Sequence, residues 1–385
     1  MGASSKELAR YLSDKFLHLF YLLFLFALAF AIQLFFLFLF IIAFTKNRKQ
    51  NNLSEHPPLS IIVCAHDELE NLKQLLPLLN EQDYPNFEII IVNDRSNDDT
   101  FDWLMQQSKV IERLKYVNIE HTPEHINGKK YGITLGIRAA TYEWLIFTDA
   151  DCRPISKTWL TEMANKTQHN ETQIVLGISP YQKLPGWLNR FIRFEAWITI
   201  LQYIGFAIHG MPYMGVGRNL AYKKSLFMER KGFNQYLSVI GGDDDIFVNQ
   251  NATTKNTQVV MSPGAVVESL PVTSYKAFFN QKVRHLAAGK KYKASHKLVL
   301  GIFLLSWILF YPLAISTLFS IYIDWVLLAI LVRVILLVLT LHITIKQWGQ
   351  RFELWAIPLL DYFYPIYYLT TGLTAFVTKK IRWKN

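Results

Sequence analysis

Charged residues vanish from some stretches of this chain and crowd others. Phe16–Phe44 carries none. Coiled as a helix it would reach roughly 44 Å, more than the ~30 Å hydrocarbon core of a bilayer. That is too long for a signal-peptide core, and no small-residue cleavage site follows. The pattern therefore predicts a retained anchor over 16–45, after a short tail at 1–15. Leu298–Ile323 is also free of charge; Trp325–Ile345 carries only Arg333, and Leu354–Thr378 only Asp361 with Pro358 and Pro365. These predict two or three further spans within 298–378. The prolines offer an alternative for the last one, a re-entrant or interfacial hairpin. Arg333 and Asp361 are expensive inside spans, so each is expected to face protein, water or the other.

The middle of the chain has a different rhythm. A polar linker over 46–58 ends in Pro57-Pro58. Short apolar runs then alternate with helical spacing. Leu59–Ala65, Phe87–Val92, Leu114–Ile119 and Glu143–Thr148 read as buried strands. Asn71–Leu79, Phe101–Gln107 and Lys129–Ala140 read as helices between them. This alternation predicts an α/β domain over 59–273, with a mostly parallel sheet and helices on both faces. Trp187–Ile208 and Ser274–Tyr292 mix aromatic and basic residues, so each reads as an amphipathic helix at the bilayer surface or as a core helix. The second leads into a span, which favours an interfacial helix over 274–297.

Composition sharpens this outline. Of 385 residues 51% are hydrophobic, and the formal net charge is +10. Much of that charge lies beside the apolar segments, at Lys46–Lys49, Lys290–Lys297 and Lys379–Lys384, the last being a basic tail over 379–385. Basic residues there suit anionic lipid headgroups, and no nucleic-acid module is present. Lys46, Arg48 and Lys49 place the middle domain on the cytoplasmic side of the membrane; Lys6, Arg10 and Lys15 pull the other way. The two cysteines, Cys64 and Cys152, lack metal-ligand spacing and read as reduced structural thiols.

Ligands of open α/β sheets bind beyond the carboxyl ends of the strands. Acids collect there. His66-Asp67-Glu68 follows the first strand, Asn93 through Asp99 the second, and Asp149-Ala150-Asp151 the fourth. Asp98 or Asp99 suits a helix cap. Capping does not account for Asp149 and Asp151, two mutually repelling carboxylates at one strand end. A hard divalent cation, Mg²⁺ or Mn²⁺, would relieve that repulsion, and such ions are commonly shared with substrate phosphates. No phosphate loop or dinucleotide fingerprint follows any strand.

The segments LSIIVCAHDELENLKQLL, FEIIIVNDRSNDDT, NGKKYGITLGIRAA, LIFTDADCRP, MGVGRNLAYKKSLF, GGDDDIF and QKVRH occur in sequence order. In that order and spacing they resemble the membrane-bound family-2 glycosyltransferases of GT-A fold over about 55–295. The resemblance implies transfer of a sugar from a nucleotide-diphosphate donor, uridine-linked or else guanosine-linked, to a lipid or lipid-linked saccharide. It implies a bacterial inner-membrane protein making cell-envelope polysaccharide or glycolipid. Asp94 would hold the nucleotide base, Lys129 would lie near the diphosphate, and Asp149 would contact the nucleotide. Asp151 would hold the metal. Asp244 would be the catalytic base, with the register open by one residue along Asp243-Asp244-Asp245. Crowding of those three acids would raise their pKa values.

Gln281, Arg284 and His285 match the donor-side Q-x-x-R-W of processive members, except that histidine replaces tryptophan. Loss of that stacking surface favours single-sugar transfer over polymerisation. Asp243, Gly217 and Arg218 would lie on the acceptor side, Arg218 meeting an anionic acceptor; a glycine-rich turn packed on the sheet is the alternative. Two rivals stay open: a processive polysaccharide synthase, and a nucleotide-binding component of a polymer export system.

Overall fold

A computed structural model describes residues 5–45, 56–124, 126–168, 171–237, 239 and 241–378. Most of the linker and the basic tail at 379–385 lie outside the described residues. The chain separates into two units.

The first unit takes in residues 1–46, 294–346 and 351–370. It is helical: α1 (Ser5–Thr45), α10 (Ala294–Thr317), α11 (Ile323–Gln347) and α12 (Ile357–Val377), the last ending beyond the unit. Parts of α1, α10 and α11 are long and apolar enough to cross a membrane. Phe26, Phe310, Ala314 and Val326 pack together inside the unit, whereas Phe16, Phe35, Trp325 and Leu331 face outward. An apolar exterior on such helices matches lipid. α12 runs unbroken through Pro365, so the expected alternative of a hairpin at the prolines is corrected. Proline is accommodated in a helix where neighbouring side chains and helices satisfy the freed carbonyl. Arg333 and Asp361 find each other. The Arg333 Nη1 ion-pairs with Asp361 Oδ2 and its Nη2 donates to Oδ1 at 3.0 Å.

The second unit holds an α/β domain. Its strands are β1 (Leu59–Ala65), β2 (Phe87–Asp94), β3 (Leu114–Ile119), β4 (Trp144–Phe147), β5 (Cys152–Pro154), β6 (Ile174–Leu176), β7 (Leu220–Lys223), β8 (Thr257–Val259) and β9 (Val267–Ser269). Its helices are α2 (Leu69–Asn80), α3 (Thr100–Gln107), α4 (Gly128–Ala139), α5 (Trp159–Ala164), α6 (Trp187–Ile208), α7 (Lys224–Glu229), α8 (Asp245–Asn251) and α9 (Tyr275–Ala288). Seven strands form one sheet in the order β3-β2-β1-β4-β7-β6-β8. The first four are parallel, as their alternation with helices predicts. β7 runs antiparallel to both β4 and β6, so the sheet is mixed beyond β4. β5 and β9 pair separately as a ribbon.

Leu72, Leu75, Leu76 and Leu79 point one stripe of α2 into the core against the sheet. Gly136 lets α4 lie close on the other side: a Cβ there would stand 2.9 Å from the Ile62 Cγ2. α6 is buried nearly all round, and Lys282 of α9 ion-pairs with its Glu195. Of the two readings for Trp187–Ile208, it is therefore a core helix of the domain. Asp98 starts two helices, accepting from Leu69 N and Thr100 N, each at 3.2 Å.

Asn219 ties the sheet together. Its amide donates to Ile178 O (2.9 Å) and Ala265 O (2.7 Å) and accepts from Trp159 Nε1 (3.0 Å). Gly177 is the floor on which that amide lies. A Cβ at Gly177 would come 2.5 Å from the Asn219 Nδ2. Gly177→Ala should therefore destabilise the protein by about 2 kcal/mol or more, by displacing a fully hydrogen-bonded buried amide. A thermal melt of the detergent-solubilised variant reads this as a lowered midpoint.

Candidate active site

β4 stops at Phe147, and the chain turns through Asp149-Ala150-Asp151 into β5. Within the turn, Cys152 N donates to Asp149 O at 3.1 Å. Arg153 clamps it from outside, donating to Ala150 O (2.9 Å), Cys152 O (2.7 Å) and Asn71 Oδ1 (2.9 Å). Strand alternation would aim the two aspartates apart. The turn instead brings side-chain ligand atoms of Asp149, Asp151 and Cys152 within 4.8 Å of one another.

Burial, then the nearby Asp149 charge, pushes Asp151 up to about 6. Burial would raise Asp149 too, but the Lys129 ammonium at 3.0 Å overrides it and lowers that carboxyl. Burial and the same acids push the Cys152 thiol well above its ordinary range. A protonated thiol is a poor ligand. The donors left are two hard carboxylates that repel each other, a set that fits Mg²⁺ or Mn²⁺.

Opposite the turn lies the run of three aspartates. Gly241 (φ +74°) and Gly242 (φ +81°) both sit in the left-handed region that favours glycine, and they swing the chain into α8. The acids then diverge. Asp243 lies 3.4 Å from Lys129, which thus bridges the two acid motifs. Asp244 caps α8, accepting from Asp245 N and from Gly217 N, both at 2.7 Å. Gly217 makes the approach easy, since a Cβ would stand a tight 3.3 Å from the same Asp244 oxygen. Asp245 turns away to accept from the Tyr292 hydroxyl at 2.7 Å. Burial first and Asp244 second push Asp245 up to about 8, and Asp243 is raised for the same leading reason. The expected rise from crowding is thus present at those two, with burial ahead of mutual repulsion. One pocket gathers Lys129, Asp149, Gly217, Asp243 and Asp244.

The remaining candidates lie in two places. Asp94, at the end of β2, is nearly buried and takes a two-point ion pair from Arg95 (2.8 and 3.3 Å). Arg95 itself has φ +57°, and Asp67 after β1 has φ +53°. Their loops interlock, Asp67 N donating to Ser96 Oγ and Asn97 N to Asp67 Oδ1. Such strained residues often mark ligand sites. Arg218 and Gln281 meet at Tyr181: the guanidinium lies 4.5 Å over the ring, and Gln281 Nε2 donates to the hydroxyl at 3.3 Å. Arg284 is half-buried on α9 and His285 more open. The nearby Arg218 charge adds to Lys129 in holding the Asp149 carboxyl down.

Sequence reasoning passed over Lys130. It is fully buried, and its ammonium donates to Tyr236 O (2.7 Å) and Val239 O (2.5 Å). Asn127 N adds a bond to Leu237 O. The first turn of α4 thus presents Lys129 to the acids and pins the segment that delivers them. Burial pulls Lys130 down to about 8. Its signal was faint, since two successive lysines at a helix start do not say which is buried. Lys130→Met should lower kcat by roughly 10–100-fold and shift donor KM as well, because the segment it pins delivers both Asp244 and Asp243, the latter beside Lys129. Steady-state kinetics separate the two constants.

Residues 60–230 match the family model described as Glycosyl transferase family 2. The poly-beta-1,6-N-acetyl-D-glucosamine synthase of Staphylococcus epidermidis is 31% identical over 115 residues, 28% of this chain and 27% of that one. The GalNAc(5)-diNAcBac-PP-undecaprenol beta-1,3-glucosyltransferase of Campylobacter jejuni is 30% identical over 107 residues, 28% of this chain and 34% of that one. The matches span 25–57% of the length of the first curated relatives. Among solved structures, the mannosyltransferase PcManGT from Pyrobaculum calidifontis, in complex with GDP-Man and Mn²⁺, superposes with a TM-score of 0.61. The superposition covers 93% of this chain and 99% of that one at 17% identity. At that identity the likeness establishes the GT-A fold. The family match begins inside β1 and ends just past α7, taking in the aspartate turn and every strand of the large sheet except β8, so residues 60–230 of this chain match glycosyl transferase family 2.

Proposed function

We propose that this protein transfers a single sugar from a uridine-diphosphate donor to a lipid or lipid-linked saccharide, with inversion at the sugar carbon, at the cytoplasmic face of a bacterial inner membrane. One observation carries the reading: a single ammonium, Lys129, bridges Asp149 beyond β4 and Asp243 before α8, with Asp244 in the same pocket. Cation, metal-type acids and a base candidate thus share one small space. Glycosyl transfer needs the leaving diphosphate neutralised and the acceptor hydroxyl deprotonated within hydrogen-bond reach.

Asp151 with Asp149 would hold Mg²⁺ or Mn²⁺, which when bound supplies charge neutralisation at the diphosphate. Lys129 then has its donor-side partner in the diphosphate. Arg284 adds a cation from α9. Asp244 takes the acceptor proton, its carboxylate oriented by Gly217 N and Asp245 N. At the base site, Asp94 accepts and Arg95 donates side by side. Uracil presents a donor beside an acceptor, which suits that edge; guanine offers the same pair at N1–H and O6, so a guanosine-linked donor is the alternative that the nucleotide-sugar panel tests. The lipid acceptor follows from the apolar helices of the same chain and is in keeping with the undecaprenol-linked substrate named for the Campylobacter relative. Single transfer rests on His285 standing where polymer-making members have tryptophan.

The test is turnover by the purified full chain in detergent, given a panel of nucleotide sugars, membrane lipid extract, and Mn²⁺, Mg²⁺ or chelator. Metal-dependent consumption of one uridine-linked donor with a labelled lipid product is the expected result. Nucleotide binding without turnover of any donor would favour the export-component reading, a long polymer the synthase reading. A product of retained configuration would refute direct displacement.

A further inference from the structure

Arg218 is the anomaly of the site. Its guanidinium carries five N–H donors, yet among the described residues its side chain makes no hydrogen bond and no ion pair. Nη1 is sealed from solvent without a partner. The guanidinium lies over the face of Tyr181, 4.5 Å away. Leaving a buried charged donor unmade is costly, so such a group is normally paired. Neighbouring cations are already engaged: Lys129 with Asp149 and Asp243, Lys282 with Glu195.

The residue is held in place from both sides. Gly217 donates its N–H to Asp244, and Asn219 is locked by three hydrogen bonds in the core. Tyr181 is fixed in turn through Gln281. A rigid, unsatisfied guanidinium is a preorganised receptor for a planar pair of anionic oxygens.

We propose that Arg218, seated on Tyr181, binds a phosphate carried by the acceptor. The inference rests on the glycosyltransferase reading above. The acceptor side is indicated because Arg218 directly follows the residue that holds Asp244, the group that must face the acceptor hydroxyl. The donor diphosphate already has its own cation in Lys129, held between Asp149 and Asp243.

The experiment uses the full chain in dodecyl maltoside with the donor it consumes, and compares wild type with Arg218→Gln and Arg218→Lys. Transfer to lipid extract is followed with dodecyl phosphate as competitor. In wild type, dodecyl phosphate should compete with the lipid acceptor and not with the donor. Arg218→Gln should weaken that competition at least tenfold and raise the acceptor KM to match, with donor KM shifting less than about twofold. Arg218→Lys should recover part of the loss, which a misfolded protein would not. Inorganic phosphate competing as well as dodecyl phosphate would assign recognition to the phosphate alone; a preference for the alkyl form would assign it to a lipid-borne phosphate. Equal competition in wild type and Arg218→Gln, or a shift confined to donor KM, overturns the proposal. If wild type consumes a donor and dodecyl phosphate leaves transfer untouched, the glycosyltransferase reading stands and the Arg218 subsite falls. If no donor is consumed, both fall.

Discussion

Asp244→Asn should abolish transfer, lowering kcat about 10³-fold, while nucleotide affinity stays within a few-fold of wild type. The asymmetry follows from position. Asp244 accepts from Gly217 N and Asp245 N, so its carboxylate is fixed at the pocket, and among the described residues it forms no ion pair with Lys129, which pairs with Asp149 and Asp243 instead. An asparagine oxygen can keep one of those bonds, but an amide cannot take a proton. Asp243→Asn should behave differently. It removes one of the two carboxylates beside Lys129 and should alter donor KM as well as kcat. Kinetics of both variants, with calorimetry of nucleotide binding, settle the register of the base. If Asp243→Asn is inactive with full binding and Asp244→Asn is active, the base lies one residue earlier. If both remain active, the three-aspartate run is a helix start and nothing more.

Why one acid of three should matter was only partly legible in the sequence. The strand-and-helix alternation of 59–148 was plain because buried parallel strands are nearly continuous apolar runs, and β1 and β3 appear with the predicted ends. The acids beyond those strands were legible for the same reason. The second half of the domain was not. β6, β8 and β9 have three residues each, too few for a period to register, and β7 reverses direction in the sheet. α6 mixes apolar residues with Arg190, Arg193 and Glu195, a pattern shared by surface helices and core helices; burial inside the domain decided it. The divergence of Asp243, Asp244 and Asp245 depends on two left-handed glycines and on partners far along the chain, Lys129, Gly217 and Tyr292. Arg218 shows the same limit. The sequence places it in a glycine-rich turn, but its seat on Tyr181 and its lack of a hydrogen bond are properties of the packed structure.

The second large effect lies in the helical unit. Arg333→Met should destabilise it by about 3–5 kcal/mol, the range for removing one partner of a buried ion pair. Asp361 is wholly buried and accepts from Arg333, from Trp307 Nε1 at 2.8 Å and from the Tyr311 hydroxyl. Arg333 also donates from Nε to Gln33 Oε1 at 3.2 Å, and Gln33 donates to Ser306 Oγ at 2.7 Å. One polar network therefore joins α1, α10, α11 and α12, and of the partners expected for Arg333 and Asp361 each has found the other, with their hydrogen-bonding capacity largely used. That makes the pair structural: a guanidinium engaged on several sides has little left for a lipid phosphate. Removing the arginine leaves a buried carboxylate with two neutral donors. It must then take up a proton or draw in water, and either loosens the four-helix contact. The double variant Arg333→Met with Asp361→Leu removes both charges and should recover much of the loss, because paired burial costs desolvation on both sides. Melting of wild type, single and double variants in one detergent measures this. A single variant as stable as wild type would mean that the network adds no stability. A double variant no better than the single would mean that the aromatic and glutamine partners, rather than the charge left behind, set the cost.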